Sequence, residues 1–145
     1  MELTELLNAG GIAGVIGNAI NSLVAIAFAG VFTRLRSVAN QSAIKLTVEQ
    51  HLLALLAHLA VGLGLGFIFW LSWGFTALVG VTWWQRGLIF GLALWALCVV
   101  PLISAQRWNL RERSATIAIV AAQWLTTFGL AGLACAWRWA HQSQS

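Results

Sequence analysis

Four side chains able to hydrogen bond fall near the middle of four apolar stretches: Asn21, His58, Trp95 and Gln123. Asn18 lies one turn from Asn21 on the first stretch. A polar group placed in hydrocarbon is costly unless something pairs with it. Reckoned at 1.5 Å per residue from the cytoplasmic ends assigned below, Asn21, His58, Trp95 and Gln123 reach one level, ~13–17 Å in from that edge. Each stretch thus contributes a hydrogen-bonding group to a midplane polar layer, and the four are expected to face one another inside a bundle. Such a layer admits two uses. It is glue that fixes helix register, at ~0.6 kcal/mol per contact. Alternatively it is a small ligand, proton or ion site, lined by Asn18, Asn21, His58 and Gln123. His58 is its centre, because only a thiol, Cys98, is also ionisable near that depth.

Other chemistry is thinner. His51 and His58 share a helical face but are separated by ~10 Å along the axis, too far for one metal ion. A haem held by two histidines needs them on facing helices, and no other stretch supplies one. The sequence therefore predicts no metal and no cofactor. Cys98 and Cys135 fall at depths further apart than the ~6 Å a disulfide spans, so two free, apolar-packed thiols are expected. The chain has no Asp, no paired C-x-x-C and no phosphate-binding loop, and no catalytic residue is assigned.

The elements that position these groups follow from composition. Of 145 residues, 60% are hydrophobic and only 8% charged, with a mean hydropathy of +0.84. Soluble domains carry roughly 25% charged residues, so lipid must cover this surface. The length fits one domain: an all-α, integral membrane four-helix bundle with spans at about 9–32, 48–71, 84–104 and 114–137. Helices are the state that satisfies a lipid-exposed backbone from within. The acidic start, Met1 to Glu5, lacks the basic region of a cleavable signal peptide, so the first span is expected to stay. Thr47 with Gln50, and Asn109 with Glu112, have capping-box spacing ahead of the second and fourth spans. Pro101 should kink or loosen the end of the third. The apolar segment from Ser72 to Thr82 is read either as an extension of the second span or as an interfacial stretch.

Orientation comes from charge. The net charge is +4, and six of the eight basic residues sit in two loops: Arg34, Arg36 and Lys45, then Arg107, Arg111 and Arg113. Excess Lys and Arg marks the cytoplasmic side, which places both termini outside. Trp70, Trp73, Trp83, Trp84, Trp137 and Trp139 fall at the outer boundary and Trp108 at the inner one, where indoles anchor. No basic stripe with interleaved aromatics is present, so nucleic acid is not expected as a partner. The expected partners are the lipid bilayer and a second copy or a larger membrane complex.

Gly10-x-x-x-Gly14 and Gly87-x-x-x-Gly91 have the small-residue spacing that brings membrane helices close. They are assigned to helix packing, with Gly87 and Gly91 the better candidates for a seam between two copies. On the first span Gly14, Asn18, Ser22 and Ala25 line one face.

The run His58, Gly62, Gly64, Gly66, followed by Trp84-Gln85-Arg86-Gly87 and Gly91 at the next helix, resembles the YagU-like inner-membrane proteins of bacteria over the second and third spans. That resemblance implies a small helical protein of the bacterial inner membrane and brings no catalytic residue. Two other small four-span families fit less well. The small multidrug exporters use a carboxylate in the first span, and here that span has none. The glutathione-metabolising membrane enzymes carry Arg-x-x-Asn-x-x-Glu in the second helix and tyrosines in the fourth. This chain has Glu49-Gln50-His51 and no Tyr. The preferred reading is a non-enzymatic accessory subunit or homo-oligomer. The alternatives are a transporter or channel component, and an enzyme acting on a lipophilic substrate at the cytoplasmic face.

Overall fold

The computed structural model describes residues 2–27, 48–72, 81–110 and 114–142. They form four helices: α1 (Leu3–Ala27), α2 (Val48–Ser72), α3 (Trp83–Leu110) and α4 (Ser114–Gln142). Each contains a segment long and apolar enough to cross a membrane. The protein is an all-α four-helix bundle of the multi-pass membrane class.

Helix ends depart from the expected ones where packing or capping extends them. α1 begins at Leu3, ahead of the expected Ala9, because Leu6 is fully buried in the bundle and Glu5 suits a helix N-terminus. α3 is opened by one half of a capping box that the sequence reading overlooked. The backbone N–H and hydroxyl of Thr82 both donate to Gln85 Oε1, at 3.0 and 2.9 Å. α3 also runs through Pro101 to Leu110, past the expected stop at Ser104. The proline removes one donor without ending the helix. Asn109 consequently lies inside α3 instead of capping the fourth helix, which begins at Ser114. The box at Thr47 and most of the Ser72–Thr82 segment lie outside the described residues.

α1 packs against α2 and α4, and α4 also touches α2 and α3. The contacts are made largely through glycine. A side chain at Gly10 would strike the Gly62 carbonyl, one at Gly14 the His58 carbonyl, and one at Gly66 the Leu6 carbonyl. Residue numbers rise on α1 as they fall on α2, so the pair is antiparallel. Gly87 meets Gly132 and Leu133, and Gly91 meets Phe128 and Gly129, which makes α3 and α4 antiparallel too. Gly17 faces Thr127 across α1 and α4, where an added Cβ would lie 2.8 Å from Oγ1. Lipid tails are as apolar as the helices, so close backbone approach and its dispersion gain hold them together. Gly87 and Gly91, considered above for a seam between copies, are thereby used within one chain.

At the end of the bundle holding both termini, Phe69 of α2 and Phe90 of α3 meet edge to face with ring centroids 4.9 Å apart. Arg138 Nη2 donates to Glu5 Oε1 at 2.8 Å, tying the start of α1 to the end of α4. The two termini therefore lie on the same side. We call this the terminal end, and the opposite one the loop end.

Candidate functional site

The candidate site lies where α1, α2 and α4 converge. His58 is buried on α2 beside Gly14 of α1, where an added Cβ would meet the His58 carbonyl. Its ring stacks on Trp124 of α4, 4.6 Å between centroids and 7° from parallel. His58 Nδ1 lies 2.7 Å from the Ala54 carbonyl one turn earlier. A carbonyl only accepts, so Nδ1 carries the hydrogen, and in the neutral ring Nε2 is left with a bare lone pair. That Nε2 is buried and meets no hydrogen-bond partner among the described residues.

Thr127 supplies a second orphan. A threonine within a helix usually returns its hydroxyl to the carbonyl four residues back. Thr126 does so, donating to Ala122 at 3.2 Å. For Thr127 the corresponding carbonyl is that of Gln123, which already accepts from Asn21 Nδ2 of α1 at 3.0 Å. Thr127 is fully buried against Gly17, and its Oγ1 has no partner among the described residues. Each such unmet group costs about 1–3 kcal/mol.

The remaining predicted residues are placed as follows. Trp95 of α3 is half-buried and donates its indole N–H to the Ala121 carbonyl of α4 at 3.0 Å. Asn21 and Gln123 are brought together, but through the backbone of Gln123. Asn18 is half-buried, and its carbonyl accepts from Ser22 at 2.9 Å. The structure thus brings Asn21 to Gln123, and Trp95 and His58 onto the same helix, α4. Of the four side chains expected to face one another, three find their hydrogen bonds on the main chain. Asn21, Trp95 and His58 each donate to a main-chain carbonyl, because in a membrane helix the carbonyls are the most abundant acceptors within reach.

Trp124 and Thr127 were missed by the sequence reading. Trp124 follows Gln123 and so belongs to the same level. Thr127 could have been found from Gly17, since a glycine in one helix often marks a bulkier neighbour in another. Cys98 is exposed on the bundle surface, not packed within it as expected, whereas Cys135 is fully buried, its Sγ 3.8 Å from the Leu6 carbonyl. Among the described residues no three His, Cys, Asp or Glu converge on a metal-sized space.

At the terminal end the indoles gather with charge. Arg86 is buried with its guanidinium 4.8 Å above the Trp139 ring, while His141 contacts Trp83 and Trp137. Cation–π contact lets an arginine stand at the edge of hydrocarbon with part of its charge met by an aromatic face.

Compared with known protein families, characterised proteins and solved structures, the chain matches none.

Proposed function

We propose that the chain is a non-enzymatic protein of a bacterial inner membrane, acting as a subunit of a larger assembly or of a homo-oligomer, with both termini outside. The observation that carries this reading is the use made of the midplane groups. Asn21 and Trp95 tie α1 and α3 to main-chain carbonyls of α4, and His58 turns its N–H onto its own helix. Side chains so used close a bundle; they do not hold a nucleophile or an acid–base pair. The orientation is supported by the basic loops, Arg34, Arg36 and Lys45, and Arg107, Arg111 and Arg113. The inner membrane is supported by the YagU-like run.

The test is purification from its membrane in mild detergent, with mass measurement and cross-linking before any harsher step. A stoichiometric partner or one fixed oligomer is the expected result. A monomer with nothing bound, at concentrations matching its membrane density, would remove the proposal. A C-terminal tag reached only from the cytosol would remove the orientation.

A second reading, a transport or channel component with a polar site around His58, is favoured by the two orphan atoms. His58 Nε2 and Thr127 Oγ1 are both buried without a partner among the described residues. In sealed vesicles, His58→Ala should then abolish proton flux while leaving helicity intact. Equal flux from wild type, variant and empty vesicles would eliminate it.

A further inference from the structure

A groove of about 690 Å³ runs along the seam between α1 and α4 from the terminal end towards the midplane. Its walls are aliphatic, chiefly Ile12 and Ile16 from α1 and Leu130 and Leu133 from α4. Its mouth carries the Glu5–Arg138 ion pair, with Trp137 beside it. We propose that this groove holds the acyl chains of one phospholipid whose zwitterionic headgroup bears both a phosphate and an amine.

Two features select that occupant. The first is length. From Glu5 to Ile16 the groove extends ~17 Å along α1 at the rise of an α-helix. The hydrocarbon core is ~30 Å thick, so the groove is about one leaflet deep, with its charges at the headgroup level. The second is charge. The ion pair engages one guanidinium nitrogen and one carboxylate oxygen, and both side chains are partly exposed, at 41% for Arg138 and 31% for Glu5. Arginine has five N–H donors in a fork suited to phosphate. The second oxygen of Glu5 suits an ammonium group. A headgroup with phosphate alone would bring its negative charge against Glu5 with nothing to balance it. Tryptophan at the mouth fits the same level, since indoles settle among headgroups.

The experiment is native mass spectrometry of the intact protein, stripped of lipid and then titrated with phosphatidylethanolamine or phosphatidylglycerol of identical chains. Wild type should retain one phosphatidylethanolamine about tenfold more strongly than phosphatidylglycerol. Arg138→Gln should lower retention of both, and Glu5→Gln should remove the preference between them. Ile12→Trp fills the groove from an exposed position, so it should abolish retention without loss of helicity. Equal retention of the two lipids by wild type, unchanged by Ile12→Trp, would overturn the proposal and leave only annular lipid. A dimer cross-linked through residue 12 in place of a lipid adduct would overturn it in favour of a second copy. Should the charge variants fail to fold, the wild-type competition and Ile12→Trp still decide the matter.

Discussion

The two halves of the bundle are built differently. Towards the terminal end, every helix buries residues at close intervals: Leu6, Gly10, Ala13, Gly14 and Gly17 on α1, and His58, Gly62, Leu65, Gly66 and Phe69 on α2. Towards the loop end the same helices turn large aliphatic side chains outward, with Ile26 73% and Val48 85% exposed. Between Asn18 and Ala27, and between Val48 and Ala57, no described residue is buried. The cause lies in residue size. Glycine lets two backbones touch, and one touching pair fixes its neighbours one turn on. Where Leu, Val and Ile occupy the helix faces they point outward, and Asn21 and Trp95 reach carbonyls of α4 with hydrogen bonds instead. In lipid the first device gives a continuous seam and the second gives isolated ties, since apolar side chains gain little by leaving a solvent as apolar as themselves.

That contrast should be easiest to break at the seam. Gly62→Val places a branched side chain against the Gly10 carbonyl, which belongs to a backbone and cannot swing aside. Overpacking of this sort costs about 1–3 kcal/mol or more, and the variant should show the largest fall in unfolding temperature in detergent. Gly64 is the control on the same helix: nothing lies within 4 Å of an added Cβ there. Gly64→Ala should be neutral or stabilising by up to about 1 kcal/mol, through helix propensity alone. Equal destabilisation by the two substitutions would mean that α1 and α2 do not meet through glycine.

A smaller effect is expected from the ties. Asn21→Leu and Trp95→Phe each remove one interhelical hydrogen bond while keeping bulk, and should cost about 0.6 kcal/mol, with about 1.7 as the upper end. Their effects should appear first as faster hydrogen exchange near Gln123 and Ala121, leaving the glycine seam protected. Protection lost uniformly along α1 would show that the two halves unfold as one unit.

The smallest effect belongs to the ion pair at the rim. Glu5→Gln should change stability by about 0–1 kcal/mol, since the pair is partly exposed. The difference should shrink as salt is raised. A larger, salt-insensitive loss would mean that the start of α1 is fastened to α4 more firmly than a surface pair allows.

Much of this was legible beforehand. Four apolar runs of bilayer length, and the small-residue spacing at Gly10, Gly14, Gly87 and Gly91, are local properties of the chain, and they fixed the number of helices and the faces able to approach. Counting along rods of known rise also brought Asn21 level with Gln123, but it misplaced His58, which stands opposite Gly14, seven residues and so ~10 Å nearer the terminal end than Asn21. What counting could not supply was rotation and partner choice. Whether Gly87 meets another copy or Gly132, whether Asn21 reaches a side chain or a carbonyl, and whether His58 finds Trp124 all depend on how each rod is turned against three others. Those turns are set jointly by every contact in the bundle. For the same reason the atoms of His58 and Thr127 left without a partner among the described residues emerged only in three dimensions: Asn21, three helices away in sequence, had already taken the carbonyl that Thr127 would ordinarily have used.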